Sequence, residues 1–198
     1  MPFDPRPITL EGNSIRLEPL STSHAADLLA AGRDPGIWTY LPRAPVQHVA
    51  DVQDWIGASL AASENGLQVP FAIIHKASGR AAGSTRFMDI SRPNRNLEIG
   101  WTWIAPEFQR SAVNTECKYL LLRHAFEELN AVRVQLKTDA RNIQSQRAIE
   151  RIGAVREGVL RKHIVLWDGY IRDTVYFSII ESEWAAVKTR LESRMTAP

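Results

Sequence analysis

Apolar residues recur at every second position in several stretches of the chain and at every third or fourth position in others. The clearest alternation covers residues 97–104 and predicts a strand. Its core face is expected to carry the apolar members of the alternation: Leu97, Ile99, Trp101 and Trp103. Glu98 lies on the opposite face, which is therefore free for function.

The sequence after this strand predicts a loop, a helix, a second strand and a second helix. A helix capped by Asn114 or Thr115 is expected to run to about Leu129, because its apolar residues have helical spacing. Residues 131–137 alternate again and predict a strand, and residues 142–153 predict a helix that ends at a glycine.

Around this central segment the same two spacings predict five more strands and three more helices. The strands are expected at residues 14–20, 70–75, 81–89, 155–167 and 170–180, and the helices at residues 21–31, 46–63 and 181–195. Residues 1–12 contain three prolines and are expected to lie over the surface in extended form. About seven strands interspersed with helices indicate a protein of the α/β class.

Composition narrows the classes of function. A chain of 198 residues suits one domain, expected to span residues 1–198. The formal net charge of +2 offers no broad basic surface for nucleic acid, and no apolar run reaches the roughly 18 residues of a membrane span. The single cysteine allows no internal disulfide and favours a reducing cytoplasm, and the five histidines lack metal-ligand spacing.

Residues 108–114 form the loop between the first central strand and its helix. Backbone N–H groups at a helix start lack partners, and the helix dipole is positive there, so an anion is the natural ligand. Arg110 adds a positive charge. On this feature alone, a basic loop that binds nothing is the commoner case.

Three stretches of the sequence resemble a known family: NTECKYLLLRHAFE, VQLKTDARNIQSQRAIERIGAVREGVLRKH and DGYIRDTVYFSII. They are similar to the GCN5-related N-acetyltransferase (GNAT) superfamily, and more narrowly to its Rim-type branch, named for enzymes that acetylate ribosomal-protein N-termini. In this family a Q/R-x-x-G-x-G/A loop wraps the pyrophosphate of acetyl-CoA. Residues 109–114 correspond to that loop, with Ala112 and Asn114 in place of the two glycines. Asparagine tolerates the left-handed conformation better than most residues.

The resemblance implies a GNAT fold, in which helices cover both faces of a mixed, mostly antiparallel, twisted sheet of about seven strands. The strands at 97–104 and 131–137 would form a splayed parallel pair where acetyl-CoA enters. The implied reaction is direct, metal-free transfer of acetyl to a primary amine in a ternary complex, and the acceptor best supported is the N-terminal α-amine of a protein or peptide. A small-molecule acceptor (antibiotic, polyamine or amino acid) and a non-catalytic CoA-binding module stay open as alternatives. The family also makes a homodimer an expectation.

The resemblance assigns roles to residues that would contact the cofactor. The backbone of residues 101–104 would bind the pantetheine arm, the loop and helix start the pyrophosphate, Asn142 the pantetheine amide and Ser145 the sulfur. The full set is Trp101, Thr102, Trp103, Ile104, Gln109, Arg110, Ser111, Ala112, Val113, Asn114, Thr115, Asn142 and Ser145. From the residues alone, Asn142 is a helix cap and Ser145 an ordinary first-turn residue.

Acetyl transfer to an amine needs a base for the ammonium proton and a proton for the departing thiolate. Glu98 is the candidate base, and pairing with an arginine across the sheet is the competing interpretation. Ser145 is the candidate proton donor, and Tyr176 is a further candidate, although a buried tyrosine in a sheet more often serves packing. Trp38, Tyr40 and Trp55 would wall the acceptor groove by the resemblance, whereas by composition they are core residues.

Overall fold

Eight strands form one mixed sheet in the computed structural model, which describes residues 3–196. The strands are β1 (Leu10–Glu11), β2 (Ile15–Pro19), β3 (Val69–His75), β4 (Arg80–Ser91), β5 (Asn96–Ile104), β6 (Arg133–Asp139), β7 (Val155–Val165) and β8 (Ile171–Ile180). Their order is β1-β2-β3-β4-β5-β6-β8-β7, and every neighbouring pair is antiparallel except β5 and β6. The seven predicted strands are all present.

The eighth strand, β1, lies in the segment that we predicted to be an extended surface lead-in, and that prediction is wrong. Leu10 pairs with Leu17 of β2, and both Leu10 and Phe3 are buried in the core. Burial of these two side chains draws the segment onto the sheet despite its prolines. Residues 1 and 2 of the predicted lead-in lie outside the described residues.

The five predicted helices are α1 (Ala25–Ala31), α2 (Val49–Glu64), α3 (Ala112–Arg123), α4 (Ile143–Arg151) and α5 (Trp184–Thr196). A π-helical turn, His124–Glu128, extends α3. Helix α2 begins later than predicted because the Asp51 carboxylate accepts hydrogen bonds from the N–H groups of Gln47 and His48, at 2.9 and 2.8 Å, and closes the helix start there. Within residues 3–196, no helix has the length and apolar character needed to cross a membrane.

Helices cover both faces of the sheet, as predicted, and so create two cores. The first core packs β2 to β6 and β8 against α3, α4 and α5. The second core packs the other face against α1 and α2, with Trp38, Trp55 and Trp103 among its buried residues. A functional site on this sheet must therefore lie where the helical cover is interrupted.

The side chains of β5 do not alternate throughout, and the prediction that its four apolar residues share one face is wrong. Leu97 lies in the first core, whereas Trp103 lies in the second. The cause is a β-bulge, in which Trp101 and Thr102 together face the single residue Thr85 of β4. Trp101 has a φ of +49°, and the extra residue moves every later side chain of β5 to the other face.

The parallel strands β5 and β6 pair over only a short distance, which confirms the predicted splay. The pairs are Asn96 with Arg133, Leu97 with Val134, and Glu98 with Gln135. Beyond these pairs, β5 continues to Ile104 and β6 to Asp139 without pairing to one another. A wedge-shaped opening in the sheet therefore begins at Glu98.

Glu116 of α3 ties the first core to the turn between β1 and β2. Its side chain is only 4% exposed. The carboxylate accepts hydrogen bonds from the backbone N–H groups of Asn13, Ser14 and Ile15, the last two at 3.0 and 3.2 Å. One buried side chain thus satisfies three backbone donors.

Replacing Glu116 by alanine is expected to lower the free energy of unfolding by about 2–4 kcal/mol, because the three donors lose their acceptor. Urea denaturation followed by circular dichroism measures the change. Glu116→Gln keeps one acceptor oxygen and should lose less. Glu150→Ala, at an exposed position of α4, is the control, and an equal effect from Glu150→Ala and Glu116→Ala would contradict the prediction.

Candidate active site

The open end of β5 leads directly to the start of α3. The chain leaves the strand at Ile104, passes through the short 3-10 helix Pro106–Phe108 and enters α3 at Ala112. The Gln109 side-chain amide donates a hydrogen bond to the carbonyl of Ile104 at 3.0 Å and so ties the loop to the strand end. The start of α3 therefore lies beside the wedge.

Ser111 caps this helix, and the prediction of a cap at Asn114 or Thr115 is wrong. The Ser111 hydroxyl accepts a hydrogen bond from the N–H of Val113 at 3.3 Å and donates one to the carbonyl of Phe108 at 2.6 Å. Because Ser111 closes the helix start, residues 112–115 form its first turn and not a loop. Asn114 lies within the helix, so the ability of asparagine to adopt the left-handed conformation is not used at this position.

The left-handed residue of this loop is Arg110, with a φ of +58°. Arg110, Ser111 and Ala112 are exposed, and their backbone N–H groups have no partner within residues 3–196. Exposed, unpaired N–H groups at a helix start beside an arginine suit a pyrophosphate. The residues present therefore fit the phosphate end of a coenzyme A molecule.

A second helix start flanks the wedge at the open end of β6. Asn142 caps α4 by accepting a hydrogen bond from the N–H of Ser145 at 2.9 Å, which confirms the capping predicted from the residues alone. The Asn142 NH₂ group and the Ser145 hydroxyl have no partner in the described part of the chain, and both side chains are half-buried. They remain available to a ligand in the wedge.

Glu98 sits at the closed end of the wedge and is 1% exposed. Its Oε2 atom accepts hydrogen bonds from Gln135 Nε2 at 2.8 Å and Lys137 Nζ at 3.0 Å. Burial raises the pKa of the Glu98 carboxyl, and the attraction of Lys137 offsets part of that rise. The charged neighbour is thus a lysine and not the arginine that the competing interpretation supposed.

Lys137 connects Glu98 to Tyr176. Its ammonium group also lies 3.1 Å from Asp89. Burial lowers the pKa of Lys137, but the attraction of Glu98 and Asp89 outweighs this effect, so the pKa is raised above its usual value. Tyr176 faces Lys137 across the β6–β8 pair, with the ammonium 6.0 Å from the ring centre. Glu98, Lys137 and Tyr176 therefore lie side by side on one face of the sheet.

The three aromatic residues predicted to wall the acceptor groove separate into two places. Trp38 and Trp55 are buried, and their rings lie 5.3 and 6.1 Å from that of Trp103. Tyr40 is half-buried, and the Arg141 guanidinium lies 5.6 Å from its ring centre. The structure thus brings Trp38 and Trp55 together without Tyr40, and the role of all three as a groove wall stays a prediction.

Lys137 and Arg86 are among the charged residues of this face that were not singled out from the sequence. Lys137 occupies a polar position of the alternating strand 131–137, and that position was the one feature of the sequence that could have identified it as a residue of this face. Arg86 interrupts the apolar strand predicted at 81–89, and it is 5% exposed. Burial lowers the pKa of the Arg86 guanidinium to about 10, so it carries its charge at neutral pH. Within residues 3–196, no three His, Cys, Asp or Glu side chains cluster as metal ligands would.

Comparison with known proteins identifies the family to which this architecture belongs. The sequence model described as "Acetyltransferase (GNAT) domain" matches residues 14–155, more than half of the chain. A GCN5-related N-acetyltransferase from Brucella melitensis, known from its crystal structure, is 34% identical with a TM-score of 0.91, over 98% of this chain and 88% of that one. The chain belongs to the GNAT family and is an acetyl-CoA-dependent N-acetyltransferase.

Further relatives support the Rim-type branch. The Bacillus subtilis (strain 168) protein named "Putative ribosomal N-acetyltransferase YdaF" is 29% identical over 177 residues, which are 87% of this chain and 92% of that protein. Mycobacterium smegmatis RimJ, solved in complex with CoA-disulfide, has a TM-score of 0.84 at 19% identity and 95% coverage of both chains. At this level of identity, the similarity to RimJ shows a shared fold alone.

Because Gly100 has no side chain, the Glu98 carboxylate can occupy the space beside it. A Cβ atom at position 100 would stand 2.6 Å from Glu98 Oε1 and 2.7 Å from Met88 Sδ. We expect Gly100→Ala to displace the Glu98 side chain and to lower the free energy of unfolding by about 1–3 kcal/mol. Thermal and urea denaturation measure the loss.

Gly158→Ala on β7 is the matched control, because a Cβ atom there meets nothing within 4 Å. It is expected to change the stability by less than about 0.5 kcal/mol. Equal stability of the two variants would show that position 100 tolerates a side chain and that Glu98 is not held as described.

Proposed function

We propose that the protein transfers the acetyl group of acetyl-CoA to the N-terminal α-amine of a protein or peptide. The observation that carries the proposal is the wedge between β5 and β6, which has a helix start on either side and Glu98 at its closed end. The similarity to a protein named as a ribosomal N-acetyltransferase supports this class of acceptor. We further propose that residues 1–198 act as one domain, in the cytoplasm and as a homodimer.

Acetyl-CoA supplies the acetyl group as a thioester, and residues around the wedge would hold it. The N–H groups of residues 110–112 and the Arg110 charge receive the pyrophosphate. The edge of β5 from Trp101 to Ile104 that faces β6 lacks a partner strand, so its backbone groups are available to the pantetheine arm and the acetyl carbonyl. The amide of Asn142 binds the arm at the opposite side of the wedge.

An acceptor amine is an ammonium at neutral pH and must lose a proton before it can attack. Glu98 takes this proton, directly or through a water in the wedge, because its pKa is raised towards the useful range by burial. Ser145 then relays to the departing sulfur the proton that the attacking nitrogen loses as the amide forms, and Tyr176 is the second candidate for this role. No covalent enzyme intermediate is required.

The function is tested by titrating the purified protein with acetyl-CoA in a calorimeter and then following thiol release with a panel of acceptors. The panel contains peptides with free N-termini, the same peptides with blocked N-termini, a polyamine, an aminoglycoside and free amino acids. Turnover confined to free peptide N-termini supports the proposal. Turnover on small amines alone supports the small-molecule alternative, and binding without any turnover identifies a CoA-binding module.

Glu98→Gln is expected to lower kcat by about 100- to 10,000-fold, because the amide cannot accept the ammonium proton. The variant should bind acetyl-CoA with unchanged Kd, since the phosphate contacts lie at the start of α3. Steady-state kinetics and calorimetry measure the two quantities. A kcat within a factor of about 3 of the original would remove Glu98 from the role of base.

Lys137→Met is expected to move the acidic limb of the kcat/KM profile to higher pH. The base acts only when deprotonated, so kcat/KM rises with pH through the pKa of Glu98. Lys137 holds that pKa down by attraction, and its removal raises the pKa further. Lys76→Met, which alters an exposed ion pair with Glu11, is the control and should leave the limb in place.

A further inference from the structure

Arg86 has a fixed orientation on the face of the sheet that carries Glu98. Its Nη1 atom donates a hydrogen bond to Gln68 Oε1 at 2.6 Å. Gln68 in turn donates from Nε2 to the backbone carbonyl of Ser59 on α2 at 3.0 Å. One edge of the guanidinium is therefore anchored through a buried glutamine to a helix.

The other edge of the guanidinium has no partner. Arg86 Nε and Nη2 are both buried and make no hydrogen bond, and no carboxylate within residues 3–196 forms an ion pair with Arg86. Nε and Nη2 are the two atoms of the side-on fork with which an arginine binds a carboxylate in bidentate fashion. Burying a charge with two unpaired donors costs free energy, and a ligand that accepts their hydrogen bonds would remove this cost.

Two tryptophans lie close to the guanidinium, and a third, Trp103, packs against one of them, with its ring 6.1 Å from that of Trp55. The guanidinium lies 4.7 Å from the ring centre of Trp101 and 5.8 Å from that of Trp55. The indole N–H groups of Trp55 and Trp103 are also buried without a partner. Within residues 3–196, the buried side-chain atoms of this cluster that lack a partner are all N–H donors, which favours a ligand rich in acceptor oxygens.

Trp101 forms the side of the cluster that is open to solvent, since it is half-buried while Trp55 and Trp103 are buried. The β-bulge holds it at a φ of +49°, which is unfavourable for a bulky residue. Backbone strain of this kind concentrates at functional sites. The bulge thus places an aromatic ring over Arg86 at the entrance of the cluster.

The register of β4 and β5 places Arg86 next to Glu98. Met88 faces Glu98 and Arg86 faces Gly100, so Arg86 and Glu98 are diagonal neighbours on the same face. Their Cβ atoms lie about 7 Å apart at this spacing. An acceptor with its amine at Glu98 would therefore lie along the same face of the sheet as Arg86.

We infer that Arg86 is a specificity-determining residue that binds a carboxylate of the acceptor a few bonds from the amine to be acetylated. The carboxylate can be the α-carboxylate of a free amino acid or the side chain of an acidic residue at the first or second position of a peptide. The inference rests on the acetyl transfer proposed above and narrows its acceptor. The phosphates of acetyl-CoA are not the ligand meant, since residues 110–112 receive them.

The experiment compares kcat/KM for matched acceptors that differ only in this carboxylate. The pairs are Asp-Ala-Ala-Ala amide with Asn-Ala-Ala-Ala amide, Ser-Asp-Ala-Ala amide with Ser-Asn-Ala-Ala amide, and alanine with alaninamide. The first two pairs report a peptide side chain, and the third reports an α-carboxylate. At least one pair is expected to favour the carboxylate by roughly 10-fold or more, mainly through KM.

Arg86→Gln is expected to bring that ratio to about 1, and Arg86→Lys, which keeps the charge without the fork, to leave an intermediate ratio. Arg80→Gln is the matched control, because Arg80 lies at the exposed start of the same strand and should keep the original ratio. The Kd for acetyl-CoA, measured by calorimetry, establishes that each variant is folded. Folded Arg86 variants that keep the original preference would overturn the inference.

Failure of the inference is distinguishable from failure of the proposed function. Turnover on peptides with ratios near 1 for all pairs overturns the carboxylate site and leaves acetyl transfer standing. Without any turnover, acetyl transfer is overturned. Tryptophan fluorescence then tests whether a carboxylate binds at Arg86, because Trp55 and Trp101 lie beside its guanidinium. A saturable change with Asp-Ala-Ala-Ala amide that is absent in Arg86→Gln supports the site, and its absence in the original protein refutes it.

Discussion

The short parallel pairing of β5 and β6 is the constraint on which the rest of the site depends. Each strand is held on its outer side by an antiparallel partner, β4 for β5 and β8 for β6, over most of its length. Between them, pairing stops at Glu98, so the sheet opens without losing either strand. Backbone groups that would be costly to leave unpaired in a closed sheet become available to a ligand at the opening.

The β-bulge on β5 has two consequences at once. It places Trp103 in the second core and turns Thr102 towards α3, where the Thr102 hydroxyl accepts a hydrogen bond from Lys118 Nζ at 2.6 Å and shares one with Thr85 at 2.8 Å. It also places Trp101 beside Arg86. One inserted residue therefore changes the core, anchors the strand to a helix and shapes the face that an acceptor would approach.

The Glu98–Lys137 pair and Arg86 differ in how their charges are compensated. Glu98 and Lys137 compensate one another, and Asp89 and Gln135 complete their hydrogen bonds, so this group is satisfied within the protein. Arg86 has only a neutral glutamine on one edge and aromatic rings on its faces. The difference matters because a compensated pair is stable without a ligand, whereas an uncompensated buried cation is most stable when an anion is bound.

Local sequence determined the order and kind of the elements, because periodicity and capping depend on residues close in the chain. It sufficed for the seven predicted strands and five helices, for the Asn142 cap and for the resemblance that implied the splayed strands. Tertiary structure alone decided the rest. The faces of β5 depended on a bulge against β4, the burial of Leu10 on the neighbouring strand, and the neighbours of Glu98 and Arg86 on register between distant strands. A one-residue shift in that register reverses which side chains meet, and no local pattern in the sequence records it.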